Sequence, residues 1–488
     1  MEYGGDWLIR KVSRKCALNR GERANSEPIA LRVLEWYAPR PMSEPTQPLR
    51  AVLVGIQTPD MTDEQLTRSL TELGRLAETL GVRVIEQVRQ KRECIDAGVL
   101  GQGKRMELAR LTGGSGIVAR GPLAQRKKVD AEADDAMKEY LADHGEPDEI
   151  ANLVIVDGEL TPTQIRDLST AVGVEVTDRT GIIVDIFHRH ASTREARLQV
   201  EIARLKYLAP RMRAAGGPSE RQAGKGTGES NLELDRRKIR DRIAELRKEL
   251  KAIESESNVR AARRQDTLRV ALVGYTNAGK SSWMRELTHS TVLVEDKLFA
   301  TLDTTVRALF PAVVPQILVS DTVGFIQRLP HDLVASFRST LSEAKDAGLL
   351  LHVADASDPD LEAQIQLTRE VLAEIGVRDG NSILVLNKID CCDAERCHEL
   401  AARYPDALLV SVNRPQHVEK VHQVIVGEFE RLLEDLALVV PYAQTSMIGE
   451  VHKRARVVNE TFEDDGVHYQ LKVTATDATR LLRMLSST

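Results

Sequence analysis

Residues 274 to 281 carry the clearest chemistry in this chain. Gly274, Tyr275, Thr276, Asn277, Ala278, Gly279, Lys280 and Ser281 spell GxxxxGK[ST]. Glycines let a backbone wrap closely around a polyphosphate, and the N–H groups of the loop and of the next helix point at the anion. Lys280 is placed to reach the terminal phosphates, and the Ser281 hydroxyl to ligate Mg²⁺. The preceding run Arg269-Val270-Ala271-Leu272-Val273 is short and apolar, as a buried parallel strand requires.

Further signals follow in order. Phe299-Ala300-Thr301-Leu302-Asp303 lies where a switch segment belongs, and a threonine such as Thr301 closes on Mg²⁺ when a γ-phosphate is present. Ile317 to Ser320 reads as a strand delivering Asp321-Thr322-Val323-Gly324. In this DxxG pattern the aspartate supports the metal and the Gly324 N–H senses the γ-phosphate. Ser382 to Leu386 is a strand ending in Asn387-Lys388-Ile389-Asp390. Asn387 is expected to pair with the guanine edge, and ionised Asp390 to accept the N1–H and N2–H that adenine lacks. Ser411-Val412-Asn413 is a loose form of the last base-contacting loop. Such residues at successive strand ends predict a Mg²⁺-dependent domain that binds GTP rather than ATP. Lys280, Thr301 and Gly324 are its expected catalytic residues. Phe325 stands where a water-orienting glutamine often sits, so hydrolysis should be slow or lean on backbone groups, an ion or a partner.

The elements around these motifs divide the chain of 488 residues into several units. Residues 1–48 form a proline-rich extension without clear hydrophobic periodicity. An α/β domain is expected over 49–190, from the strands Arg50–Gly55, Val82–Ile85 and Asn152–Asp157 and from helical patterns at Leu66–Leu80 and Thr161–Val172. Residues 113–148 read as an insertion, and the Gly101-Gln102-Gly103-Lys104 turn as a plain loop before a helix. Over 191–265 the apolar residues Leu198, Ile202, Leu205 and Leu208, then Ile239, Ile243, Leu246, Leu250 and Ile253, predict an antiparallel helical hairpin. Its tip, Arg211 to Ser230, is rich in glycine and basic residues. Arg236, Arg237, Lys238, Arg240 and Arg242 load the second helix. This local charge predicts contact with a phosphate backbone, RNA above all, although the whole chain carries a net charge of -6. The GTPase domain is expected over 266–438 and a small α/β domain over 439–488.

Five cysteines without a paired framework favour a reducing compartment, and no apolar run is long enough to span a bilayer. A cytoplasmic protein is expected, with partial membrane association as a rival placement. Cys391, Cys392, Cys397 and His398 lack zinc-ligand spacing and read as helix residues.

These residues resemble the HflX family of ribosome-associated GTPases. The likeness runs from about residue 50 to 488. It is carried by GYTNAGKSS from Gly274, LFATLD from Leu298, DTVGFIQRL from Asp321 and TDRTGIIVDI from Thr177. TREARLQVEIARLKYLAP from Thr193 and GESNLELDRR from Gly228 add to it. The resemblance implies a P-loop (TRAFAC-type) GTPase domain, preceded by a small α/β domain with a helical hairpin and followed by a small C-terminal α/β domain. It implies binding to the large ribosomal subunit, with the hairpin and N-terminal domain directed at ribosomal RNA, and splitting or rescue of stalled ribosomes under stress; a monomer is expected, although the sequence itself is silent on oligomeric state. Asn277 occurs at this place in similar GTPases that use K⁺, while a loop-bracing role is the alternative. The chain departs from the family pattern at Gly226-Thr227-Gly228-Glu229-Ser230-Asn231, at Thr304 after Asp303, and at Val412. Two rival functions are an RNA-remodelling ATPase acting through the N-terminal domain and a GTP-gated regulatory protein with a non-ribosomal partner. The N-terminal domain shows no second phosphate loop.

Overall fold

A computed structural model describes residues 48–93, 99–118, 135–215, 231–262, 268–290, 299, 305–326, 344–377 and 381–486. Of the expected site, 300–303 lie outside these residues, as do the 1–47 extension and the hairpin tip 216–230.

The first sheet contains β1 (Arg50–Gln57), β2 (Arg83–Lys91), β3 (Leu153–Asp157) and β4 (Glu175–Asp178) in the parallel order β2-β1-β3-β4. Ala51 and Leu53 face one apolar cluster while Val52, Val54 and Ile56 face another. Both faces are therefore buried, the usual condition of a parallel sheet. Helix α1 (Asp63–Thr79) opens on a capping box between Thr62 and Gln65 and lays Leu66, Leu70, Leu73 and Leu76 on the sheet. Helix α2 (Gln102–Thr112) begins after Gly101, and Lys104 pairs with Glu107 at 2.6 Å, in keeping with a plain loop before a helix. Helix α3 (Pro162–Val172) has the proline in its first turn, and α4 (Arg179–His190) is capped by Asp178. Within the expected insertion, residues 135–144 are helical, and Met137 packs with Met106 and Ala109. That part is a layer of the domain, drawn in by its apolar face.

The hairpin consists of α5 (Arg194–Ala215) and α6 (Asn231–Ala262). Leu198, Ile202 and Leu246 are buried between them, with Leu205, Ile243, Leu250 and Ile253 alongside. Helix α5 runs through Pro210, beyond the end expected near Leu208. Arg211 is anchored there by the Tyr207 carbonyl at 2.7 Å and the Asp178 carboxylate at 2.7 Å. These ties hold the turn where proline removes a backbone donor.

The nucleotide-type sheet joins β5 (Leu268–Gly274), β6 (Thr305–Ala308), β7 (Ile317–Asp321), β8 (Leu349–Asp355), β9 (Ser382–Asn387) and β10 (Leu408–Leu409). Their order is β10-β9-β8-β5-β7-β6, with only β6 antiparallel to its neighbour. Helices α7 (Lys280–Thr288), α8 (Leu361–Glu374), α9 (Ala394–Arg403) and α10 (Pro415–Glu430) connect and flank it.

The third sheet contains β11 (Glu434–Val440), β12 (Arg456–Glu463) and β13 (Gly466–Val473), antiparallel in the order β11-β13-β12. Helices α11 (Thr445–Arg454) and α12 (Ala475–Ser486) cover its apolar face through Met447, Val451 and Leu481. The boundary expected between 438 and 439 cuts through β11. The ladder from Glu434↔Val473 to Val440↔Val467 assigns the whole strand to this last sheet. Its alternating burial had no partner to reveal it in the sequence.

The first and second sheets are not separated by water. Phe187 of α4 meets Phe299 edge-on, ring centroids 4.6 Å apart. Tyr275, Phe325 and Ile326 belong to the same buried cluster as Leu70, Ile183 and Phe187.

Replacing fully buried Leu246 by alanine should destabilise the hairpin by about 2–5 kcal/mol. Hydrogen exchange should then quicken in α5 and α6 but not in β5 or β8; unchanged exchange would remove the seam as the source of hairpin stability.

Candidate functional site

The carboxyl ends of β5, β7 and β9 bring most of the sequence-selected residues to one rim of the second sheet. Parallel strands expose their last residues and the following loops there, at the place where open α/β sheets hold ligands. Gly274 has φ +147°, and an added Cβ would lie 2.0 Å from the Val353 carbonyl oxygen. Gly279 has φ +100°, and its Cβ would meet the Asn387 amide nitrogen at 2.3 Å. Gly274 is thus required by the close approach of the β8 backbone and Gly279 by the Asn387 side chain, as well as by loop curvature.

Lys280 is buried, and its ammonium donates to the Tyr275 carbonyl at 2.7 Å. Burial pulls its pKa down to about 8, an effect that nearby Asp321 partly offsets. Gly324 brings its backbone against this ammonium, since a Cβ there would lie 2.9 Å from Nζ. The Ser281 hydroxyl donates to the Asp321 carboxylate at 2.8 Å. Thr322 donates its hydroxyl to the Leu272 carbonyl at 2.7 Å, tying the DxxG segment to β5. Val323 is buried in the cluster shared with the first sheet.

Asn387, wholly buried, spans two loops. Its amide donates to the Ala278 carbonyl at 2.9 Å and its oxygen accepts from the Val412 N–H at 3.2 Å. The amide thereby ties the phosphate loop to the last loop. Lys388, in a left-handed conformation at φ 62°, reaches Asp355 at 2.7 Å. Asn413 donates to Asp390 at 3.2 Å. The Ser411 side chain, helped by Asn413, holds the Asp390 carboxyl below its ordinary range, so it is an ionised acceptor at neutral pH. Ile389 packs beside Leu386 and Leu400.

Asn277 sits at the loop's outer turn with φ 60° and is exposed. Among the described residues its amide braces nothing. Thr276 donates its N–H to the Phe325 carbonyl at 2.8 Å, and Phe325 donates its own to Gly274 at 3.1 Å. The Phe325 side chain is buried among apolar neighbours, which accounts for an aromatic residue in place of glutamine. The Phe299 side chain is likewise committed to the apolar cluster. The cysteines near Asp390 form no metal-binding cluster among the described residues. The grouping that does occur there, Glu463, Asp465 and His468, lies on the third sheet.

Sequence reasoning missed three participants. Asp355 holds Lys388, His417 accepts the Ser411 N–H at 3.0 Å, and Glu72 reaches from the first domain to Tyr275. Asp355 ends a strand beside β9 and could have been found by position. Nothing local marks Glu72, which stands 203 residues from its partner.

Three family models match the chain: a GTP-binding GTPase N-terminal region at 135–188, a GTP-binding GTPase middle region at 190–264, and a 50S ribosome-binding GTPase domain at 269–388. The first of these begins inside the expected insertion. GTPase HflX of Gluconacetobacter diazotrophicus is 53% identical over 91% of this chain and 99% of its own length. GTPase HflX of Caldanaerobacter subterraneus is 36% identical over 90% of this chain and 94% of its own. That of Escherichia coli is 36% identical over 68% and 80%. A GTP-binding protein from Sulfolobus solfataricus, solved with GDP, superposes at TM-score 0.40 with 22% identity, covering 78% of this chain and 99% of that one. With a phosphate loop, a DxxG strand end and an NKxD strand end on one rim, and with relatives of this identity along almost its whole length, the chain belongs to the HflX family of GTPases and binds and hydrolyses GTP.

Proposed function

We propose that the GTP-bound protein docks on the large ribosomal subunit through its hairpin and N-terminal domain, that hydrolysis releases it, and that it serves to split or rescue stalled ribosomes under stress. The observation that carries this reading is the basic helix α6, with Arg236, Arg237, Lys238 and Arg240 beside a glycine-rich tip, on a GTPase whose central region matches a 50S ribosome-binding model. A local patch of this kind neutralises phosphates although the chain as a whole is acidic.

In the nucleotide site, the placement of each group supports the following roles. Lys280 neutralises charge on the transferred phosphoryl group. Loop N–H groups within 275–281, other than that of Thr276, which Phe325 holds, cradle the phosphates, Gly324 senses the γ-phosphate, and Asn387 and Asp390 select guanine, supported by Lys388, Ser411 and Asn413. The Ser281 hydroxyl, held by the Asp321 carboxylate at 2.8 Å, is a hard oxygen that fits Mg²⁺, with Thr301 as the further ligand and Asp321 supporting the metal through its shell. The metal, once bound, neutralises phosphate charge. The exposed amide of Asn277 supports K⁺ as an additional ion. No described helix is long and apolar enough to cross a membrane. The described N-terminal sheet has no phosphate loop to support an ATPase.

Asp390→Asn should weaken GTP binding by roughly 10- to 100-fold, since a charged acceptor is lost, and should favour xanthosine nucleotide. Equal GTP affinity in competition titrations would remove Asp390 from base selection. Purified large subunits should co-sediment with the protein in a non-hydrolysable GTP analogue and not in GDP. Absence from the pellet in both would leave the GTPase standing and its ribosomal role refuted.

A further inference from the structure

Tyr275, second residue of the phosphate loop, is only 7% exposed, and its hydroxyl donates to the Glu72 carboxylate on α1. The other oxygen of Glu72 accepts from the Arg179 guanidinium. Arg179 is 2% exposed and also donates to Asp157 at 3.0 Å. Burial opposes its charge, but Glu72 and Asp157 outweigh that effect and hold its pKa above the ordinary value. Arg179 and Asp157 are thus buried together, and the partly exposed carboxylate of Glu72 closes the group from its outer side.

The next residue back along the chain extends the connection. Asp178 accepts from the Gly181 N–H at 2.9 Å as the cap of α4. It also accepts from the Tyr207 hydroxyl at 2.8 Å and from Arg211 at 2.7 Å, both on α5 where that helix approaches the hairpin tip. The Arg211 guanidinium lies 3.4 Å over the Tyr207 ring. Two polar clusters, one gripping the phosphate loop and one gripping the tip-proximal end of α5, therefore meet at the peptide bond between Asp178 and Arg179. At the other end, the carbonyl of Tyr275 is the acceptor of Lys280, and the N–H of the following residue holds Phe325, next to Gly324. Fixing the Tyr275 ring by its hydroxyl fixes the peptide that seats the ammonium.

We propose that Glu72 is a positioning residue of the GTPase, holding Tyr275 and through it Lys280 in place, and that Asp178 and Arg179 link this restraint to the tip-proximal end of the first hairpin helix. Movement of the hairpin on its partner would then reach the phosphates through side chains that never touch the nucleotide. The proposal rests on the reading of residues 274–281 as the phosphate loop, and Lys280→Ala tests that reading separately.

The test uses the full chain and a fluorescent GDP. Tyr275→Phe keeps the ring and deletes only the hydroxyl, and Glu72→Gln keeps the side-chain length. Each should speed GDP release by about three- to tenfold, the worth of one buried hydrogen bond, and the double variant should do no more than either alone. Arg211→Ala should change release by about twofold or more in the native background, as coupling through a shared network implies, and not at all beside Tyr275→Phe. A merely structural role would lower the melting temperature without moving the release rate. Release unchanged in Tyr275→Phe, or single effects that add, would overturn the positioning role even if Glu72→Gln failed to fold. Unchanged release in Arg211→Ala would overturn the link to the hairpin. If Lys280→Ala bound GDP and GTP normally, the phosphate-loop reading itself would fall.

Discussion

A carboxylate withdrawn from water must find donors, and Glu72 finds them in two separate parts of the chain. One is Arg179 in its own domain and the other is Tyr275 in the phosphate loop. Removing Arg179 would leave the buried Asp157 without its cation, whereas removing the Tyr275 hydroxyl would cost about one hydrogen bond. That constraint joins the first sheet to the second. The apolar contacts around it, Phe187 on Phe299 and the shared burial of Phe325 and Ile326, exclude water and raise the stakes of the polar ties.

The nucleotide rim depends on the same economy of shape. Gly274 and Gly279 leave no room for a side chain because Val353 and Asn387 already occupy the space. Asn387 in turn gives one hydrogen bond to the phosphate loop and takes one from the last loop, so the two loops share a buried amide. Phe325 illustrates how one position answers to two demands. Its backbone pairs with the phosphate loop while its ring fills the interdomain core, which excludes the water-orienting role a glutamine would have there.

The phosphate loop, DxxG and NKxD motifs were legible because each is local: a few consecutive residues carry the chemistry, and an apolar strand delivers them. The helical hairpin was legible for a related reason, since its seam repeats at helical spacing in Leu198, Ile202, Ile243, Leu246 and Leu250. Chain order and residue type thereby determined the nucleotide class, the sheet that bears it, and the basic arm.

Pairings between distant segments belonged to the tertiary structure alone. β11 reads equally well as the end of one domain or the start of the next until β13 pairs with it. Residues 135–144 look like an excursion until Met137 meets Met106. Glu72 is one more acid on a helix until folding sets it between Arg179 and Tyr275. The physical reason is common to all three. Burial and charge pairing depend on what arrives from elsewhere in the chain, and no window of neighbouring residues contains that information.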